Sequence, residues 1–460
     1  MEAVYTPEQM RYIDAHSGVD VAVLIRRAGY AVAQTALRML GGSYGKHVIV
    51  LAGKGNNGED GRVASDFLRA RGVKVSVFSS SEMPTQLPEC DLVIDAVYGT
   101  GLRSDFVAPT TKAPVLAVDI PSGIDATTGE CRGVPLRANE TITFGGLKPG
   151  VVLQPGRTYA GQITVVSLDL PVHLGVQVDE NTINVVTRND VEQWVPPRAP
   201  TTHKWKSGVR AIAGSKTMMG AAQLSCAAAY RAGAGIVHLS SIGGTPEIIA
   251  PLEVVYRSVS ETHWADQCLS DIERFASALI GPGMGRGDEL VEEVFQFVSR
   301  CPVPLVIDGD GLQILASSRA GQRRNMANFF AQRTAETVLT PHDGEFSALT
   351  GERPSADRIA DTRKAAAALQ AVVLLKGSTT VVAEPGGNVL CITNGDARLA
   401  TAGSGDVLTG VIAALLAVGL DAFHAAAAGA FIHGNALERL PQCGVVASDI
   451  VREIQVGGNE

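Results

Sequence analysis

Thr401-Ala402-Gly403-Ser404-Gly405-Asp406-Val407-Leu408-Thr409-Gly410 joins a run of small residues to an acid and then to a long, alanine-rich apolar segment. That is the pattern of a loop opening a helix. Glycines at 403 and 405 let the backbone approach a ligand closely, and the first free N–H groups of the helix form an anion hole worth about 0.3–1 kcal/mol per favourable charge. A phosphate fits there. Asp406 stands at the mouth of the hole, where a carboxylate can take a proton from a hydroxyl while the N–H groups hold the phosphoryl group under attack. A plain helix cap explains the same acid equally well, so its surroundings decide.

Working backwards from this stretch, strands are expected at Val209–Ala213, Ile236–Ser240, Ala278–Ile280, Leu305–Ile307, Thr337–Leu339 and Val372–Leu375, with a helix over Met219–Ala232. Alternating strands and helices imply a parallel sheet with ligands at the carboxyl ends of its strands. Those ends run into Gly214-Ser215-Lys216, Gly281-Pro282-Gly283-Met284-Gly285, Asp308-Gly309-Asp310-Gly311, Thr340-Pro341-His342-Asp343-Gly344-Glu345 and Lys376-Gly377-Ser378-Thr379-Thr380. Singly these have ordinary explanations: His342 as a turn histidine, Asp308 and Asp310 as helix caps, Lys376 as a solvated strand end. Together, a lysine beside a Gly-rich loop, acids able to hold magnesium and a histidine across the crevice describe phosphoryl transfer. No G-x-x-x-x-G-K-[ST] occurs, so the site is not a P-loop.

The first half alternates as well. An early helical pattern through Val23, Leu24, Ala28, Val32, Ala36 and Leu40 stops at Gly41-Gly42, and strands follow at His47–Ala52, Val75–Phe78, Leu92–Val97, Val115–Ile120 and Ile163–Leu168, with a helix at Asp60–Arg71. Three strand ends carry unusual loops: Gly53-Lys54-Gly55-Asn56-Asn57-Gly58-Glu59-Asp60-Gly61, Asp95-Ala96-Val97-Tyr98-Gly99-Thr100-Gly101-Leu102 and Asp119-Ile120-Pro121-Ser122-Gly123-Ile124-Asp125. The glycine spacing is not that of a dinucleotide-cofactor turn. Asn57, Asp95 and Ser122 are hard oxygen donors suited to a cation, and turn capping accounts for them equally well. Pro196-Pro197-Arg198-Ala199-Pro200 is a stiff stretch where periodicity has faded, which places a domain boundary between residues 195 and 200.

Length and composition bound the rest. A chain of 460 residues suggests two or three domains, and 45% hydrophobic with 19% charged residues describes a soluble α/β protein. The net charge of −8 and the lack of a basic patch argue against nucleic-acid binding. Seven scattered cysteines without a C-x-x-C pair fit a reduced, cytoplasmic setting without disulfides or zinc. The N-terminus lacks a signal-peptide pattern, and the most apolar region, 411–440, is too interrupted to cross a membrane.

G-K-G-N-N-G-x-D-G, D-A-V-Y-G-T-G-L and V-D-I-P-S-G-I-D, in that order, resemble the NAD(P)HX epimerase family, which interconverts the R and S forms of hydrated NADH or NADPH. The resemblance implies that Asn56, Asn57, Gly58, Glu59 and Asp60, with Gly99, Thr100, Gly101, Leu102, Arg103, Ser104 and Asp105, line the hydrated nucleotide. Asp119 would reach the nicotinamide ring and transfer a proton, and Asn57, Asp95 and Ser122 would hold K⁺. Glu59 departs from the family, which usually has Gly here. A backbone at φ > 0 would make that residue cost about 1–2 kcal/mol, and its carboxylate would repel phosphate. Lys148, in Gly146-Leu147-Lys148-Pro149-Gly150, reads as a surface lysine in a turn.

G-P-G-M-G, D-G-D-G, T-P-H-x-G-E, K-G-S-x-T and A-G-S-G-D-V-L-T-G resemble the NAD(P)H-hydrate dehydratase family. The implied architecture is a Rossmann-like three-layer domain over residues 1–195, followed by a ribokinase-like α/β domain over 200–460. The implied activity is repair: epimerisation, then dehydration of the S form to NAD(P)H with ADP, aided by Mg²⁺, giving AMP and phosphate. Ala221, Gly283 or Gly285, His342 and Asp406 would contact the hydrated nucleotide, while Lys376, Gly377, Ser378, Thr379, Thr380 and Gly405 would hold the adenylate. A small-molecule kinase of the same superfamily, carrying a non-catalytic N-terminal nucleotide-binding domain, is the alternative. A homo-oligomer is expected.

Overall fold

The computed structural model describes residues 1–243, 251–317 and 326–457. The chain divides into two compact units, Glu2–Ile183 and Asn184–Glu460. This division falls ahead of the proline-rich stretch that composition singles out. The reason is a helix, Arg188–Trp194, that already belongs to the larger unit: Trp194 packs edge-on to His424 with ring centroids 4.6 Å apart, and Arg188 bonds Asn435 at 2.7 Å. Loss of periodicity marks where the chain stops repeating, which is later than where its contacts change.

The main sheet of the smaller unit holds six parallel strands: β1 (His47–Ala52), β2 (Lys74–Ser79), β3 (Leu92–Ala96), β4 (Val115–Val118), β5 (Glu140–Phe144) and β6 (Gln162–Val166), in the order β2-β1-β3-β4-β5-β6. The chain steps one way from β1 to β2 and then back across to β3, so the loops leaving β1 and β3 part at a topological switch point. β5 is absent from the sequence reading because Glu140, Thr141 and Thr143 disguise it. They are buried but satisfied: Thr141 Oγ1 donates to Ala160 O at 2.6 Å, and Glu140 accepts from Thr164 Oγ1 at 2.9 Å and pairs with Arg38. Helices α1 (Pro7–His16), α2 (Val21–Leu40) and α3 (Asn56–Ala70) cover the sheet. Gly29 lets α2 and α3 touch, since a Cβ there would fall 2.6 Å from Val63 Cγ1.

The larger unit contains β7 (Gly208–Ile212), β8 (Ile236–Ser240), β9 (Val255–Tyr256), β10 (Ser277–Ile280), β11 (Leu305–Ile307), β12 (Thr337–Leu339), β13 (Val372–Leu375), β14 (Thr380–Ala383) and β15 (Val389–Ile392). Their order is β15-β14-β13-β12-β11-β10-β7-β8-β9, parallel from β13 to β9 and antiparallel from β13 to β15. The helices that matter for the site are α4 (Met219–Arg231), α5 (Asp310–Ala316), α6 (Asp343–Thr350), α7 (Ser404–Ala417) and α8 (Ala422–Asn435). Every residue of α7 from Val407 onward is buried, which is why the helix carries no polar stripe. Gly410 is required by backbone contact: a Cβ there would lie 2.0 Å from Ser225 O of α4. Among the described residues no helix is long and apolar enough to cross a membrane.

Candidate functional sites

The carboxyl ends of β1, β3 and β4 open into a cavity of about 900 Å³, roofed by α1 and α2. Two glycines let the loop after β1 pack backbone against backbone, for a Cβ at Gly53 would sit 1.9 Å from Val97 O and one at Gly58 would sit 2.1 Å from Gly53 O. Helix α3 begins at Asn56, so the residues read as a loop form its first turn and aim free N–H groups at the cavity. Glu59 is therefore helical, not at φ > 0, and its exposed carboxylate pairs with Arg62 at 2.8 Å. The expected backbone strain is absent.

Asp119 is the strained residue instead, with φ 67. Such a conformation costs a non-glycine residue on the order of 1 kcal/mol and persists only where neighbours enforce it. They do so here. Asp119 Oδ2 accepts from Thr100 N at 3.3 Å, Oδ1 accepts from Thr143 Oγ1 at 3.2 Å, and Lys148 Nζ lies 2.7 Å away. Lys148 is not a surface lysine: its side chain is 2% exposed, and it also donates to Thr143 Oγ1 and Phe144 O, each at 2.8 Å. The glycine at 99 makes room for this pair, because a Cβ would fall 2.6 Å from Asp119 Oδ2.

Two further acids face the same cavity. Burial, followed by the charges of Asp119, Asp14 and Glu59, pushes the Asp60 carboxyl up to about 8, so it is protonated at neutral pH. Burial also raises Asp14, against the pull of Lys148. Beneath them Asp95 is wholly buried, accepts from Ser122 N at 2.8 Å and Ser122 Oγ at 2.6 Å, and is pushed upward by burial without a cationic side chain to offset it. Asn57 has both amide atoms buried and unpartnered. An orphan amide oxygen and an uncompensated carboxylate are what a cation would satisfy.

In the larger unit, the strand ends converge on the start of α7. Gly403 caps it at φ 86, and Gly405 stands open to the crevice: a Cβ there would meet Lys376 Nζ at 3.3 Å. Lys376 Nζ donates to Asp308 Oδ1 at 2.6 Å. Asp308 is held further by Thr340 Oγ1 at 2.8 Å and Thr409 Oγ1 at 2.6 Å. Burial first, then the charges of Asp308 and Asp310 against that of Lys376, raises Asp406 to about 6. It is thus ionised at neutral pH yet a stronger base than a free aspartate.

The comparisons with known proteins agree on both halves. The family described as NAD(P)H-hydrate dehydratase matches residues 209–455, and the YjeF-related N-terminal family matches 21–90 and 79–150. The bifunctional NAD(P)H-hydrate repair enzyme of Thermofilum pendens is 34% identical, over 91% of this chain and 87% of its own. That of Mycobacterium tuberculosis is 36% identical, over 93% and 92%. The chain belongs to the bifunctional NAD(P)H-hydrate repair enzymes. A hypothetical protein of Streptococcus mutans, 24% identical, superposes on 59% of this repair enzyme and 96% of itself with a TM-score of 0.50, a likeness of fold.

Not every residue expected in the repair enzyme's sites lies where the motifs suggest. Asn56, Asn57, Asp60, Gly99, Thr100, Gly101 and Asp119 line the cavity, whereas Gly58, Glu59, Leu102, Arg103, Ser104 and Asp105 do not. Leu102 packs instead toward the Leu51 and Phe106 cluster. Ala221 and Gly283 touch, since a Cβ at Gly283 would lie 2.8 Å from Ala221 Cβ, and Gly285 N donates to Asp310 Oδ2 at 3.0 Å. His342 caps α6: its Nδ1 accepts from Gly344 N at 3.0 Å and Glu345 N at 3.3 Å, which puts the ring proton on Nε2. Thr379 is buried and Thr380 opens β14, while Gly377 and Ser378 are exposed.

Asp308 and Asp310 are committed to protein partners, the latter to Arg286 Nε at 2.5 Å, so they do not form a ready-made magnesium cage. Among the described residues no group of three or more His, Cys, Asp or Glu could hold a metal. The surroundings of three groups were not legible in the sequence. Lys148 lacked any signal beyond its turn, Glu345 is raised by burial against the pull of Lys376, and His433 of α8, pushed down to about 4 by burial and the Lys376 charge, sits 3.2 Å from Ser404 Oγ. A histidine near the end of an alanine-rich helix was the one available clue to the last.

Proposed function

We propose that the cavity of the smaller unit epimerises hydrated NADH or NADPH and that the crevice of the larger unit dehydrates the S form at the expense of ADP. In the first, Asp60 gives a proton to the C6 hydroxyl as the C–O bond breaks and the ring-nitrogen lone pair forms the iminium. Water returns to either face, handing a proton back. Asp119, paired with Lys148, stabilises the cationic ring. Asn57, Asp95 and Ser122 have the oxygen donors to hold K⁺, whose charge would fix the loops after β1 and β3.

In the second crevice Asp406 takes the proton of the ring hydroxyl, whose oxygen attacks the β-phosphorus of ADP as AMP departs. The N–H groups at the start of α7 and the Lys376 ammonium hold the phosphoryl charge. Phosphate then leaves with its C–O electron pair, pushed by the ring nitrogen, and loss of a C5 proton restores the dihydropyridine. Magnesium, when bound, would neutralise charge on the diphosphate, held chiefly by phosphate oxygens, since Asp308 and Asp310 are already paired. Ala221, Gly283, Gly285 and His342 would border the hydrated ring, and the segment Lys376–Thr380 the adenylate.

One observation carries this reading: a half-buried acid at the open end of a helix, with a lysine poised across the same N–H groups. The test is recovery of reduced-nicotinamide absorbance from mixed R/S NADPH hydrate with ADP, then ATP. Full recovery with ADP, faster than spontaneous epimerisation, is expected. A halt once the S form is consumed would refute the first activity, and no recovery with ADP would refute the second.

A further inference from the structure

Arg210 sits at the centre of β7, where its neighbours Val209 and Ala211 enter the core shared with α4 and α7. By strand alternation Arg210 faces the other side of the sheet. It is wholly buried. Its Nη2 donates to Ser240 Oγ at 2.9 Å and approaches Cys268 Sγ at 3.5 Å, while Nε and Nη1 have no partner. His238, its register neighbour on β8, has an unpartnered Nδ1. Trp264, one helical turn from Cys268 and also buried, has an unpartnered Nε1. Unsatisfied nitrogens of Arg210 and His238 therefore sit on neighbouring strands.

Charge is unbalanced there as well. Asp271, whose charge reaches His238 as that of Arg210 does, has its Oδ2 ion-paired with Arg257 and 3.9 Å from Arg274, while its Oδ1 is buried and unpartnered. Two guanidinium groups share that acid, and among the described residues Arg210 has no ion pair of its own. Arg257 and Arg274 reach solvent, but Arg210 does not, and a guanidinium cannot shed its proton to escape burial. The Phe275 ring, 5.6 Å from the guanidinium carbon, offers only a partial counter-field.

We infer that Arg210 binds a small monovalent inorganic anion of the halide class, on the face of the sheet turned away from α4 and α7. Ser240, Trp264 and Cys268 around it are fully buried, and the cost of stripping water from an ion rises with the square of its charge. A phosphate or sulfate is disfavoured where a chloride is not. The anion supplies Arg210 Nε and Nη1 with an acceptor and locks β7, β8 and the helix carrying Cys268 together.

Crystals of the full chain soaked in sodium bromide test this directly. An anomalous peak against Arg210 Nε or Nη1 is expected, together with a fall of about 2–4 °C in melting temperature when gluconate replaces chloride at constant ionic strength. Arg210→Met should melt at the same temperature in both salts. A water, or the Asp271 carboxylate, against Arg210 with no anomalous peak would overturn the inference. So would a peak without any salt-specific shift, which is binding at crystal concentration only. If Arg210→Met fails to fold, the two wild-type measurements still decide.

Discussion

The two crevices of this chain are built alike and charged differently. Both lie at the carboxyl ends of parallel strands, both use glycines to bring backbone within contact of backbone, and both place a helix N-terminus at the crevice. In the smaller unit an acid is buried among other acids, so Asp60 is raised to about 8 and carries a proton at neutral pH. In the larger unit Asp406 is raised only to about 6, because Lys376 offsets its acidic neighbours, and it stays ionised. The same scaffold thus offers a proton donor in one place and a proton acceptor in the other. Burial raises both, and the balance of neighbouring charges sets how far.

The sharpest way to break that contrast is Asp406→Asn. Dehydration should slow by about 10²–10⁴-fold with nucleotide binding little changed and epimerisation intact, the scale of a lost general base. A near-normal turnover number would remove Asp406 from the chemistry.

Lys148→Met comes next. Taking one partner from a buried ion pair leaves Asp119 uncompensated and should destabilise the smaller unit by about 3–5 kcal/mol, read by urea unfolding. Epimerisation should fall by about 10²-fold while dehydration of pure S substrate is unchanged.

The pH profiles should lean in opposite directions. Dehydration should fall as pH drops through about 6, where Asp406 gains its proton, and epimerisation should fall as pH rises through about 8, where Asp60 loses its own. Stability follows from the same raised value. Native Asp60 holds its proton more tightly than in the unfolded chain, so its contribution is complete below about pH 3.9 and is lost as pH rises through about 8. Thermal melts of the smaller unit between pH 6 and 9 would register it, and a flat profile would contradict the assignment.

The smallest effect is expected from Glu59→Gly. Its pair with Arg62 is solvent-exposed, worth about 0–1 kcal/mol, and glycine inside a helix costs about 1 kcal/mol, so epimerisation should change less than about threefold. A large gain in rate would mean that the carboxylate does repel the substrate.

Much of this molecule was legible in its letters. Strand spacing revealed both sheets, because β1, β8, β11, β12 and β13 are short, mostly apolar runs between helical stretches and need no partner to be recognised. The glycines of the strand-end loops were equally visible, since close backbone approach admits little else. β5 was hidden because its polar residues are satisfied only by groups distant in sequence. Lys148 was misread for the same reason: a lysine in a turn looks solvated until Asp119 and Thr143 are seen to enclose it.

What the sequence by itself determined is therefore the alternating α/β plan, the position of the ligand loops, and Asp406 at the start of a helix. Those rest on local periodicity and on residues whose backbone demands are their own. Only the tertiary structure decided that Glu59 is unstrained while Asp119 is strained, that Asp308 is already engaged by Lys376, and which buried acid keeps its proton. Such properties depend on which charges and hydrogen-bond donors the fold brings within a few ångströms, and chain order does not encode that distance.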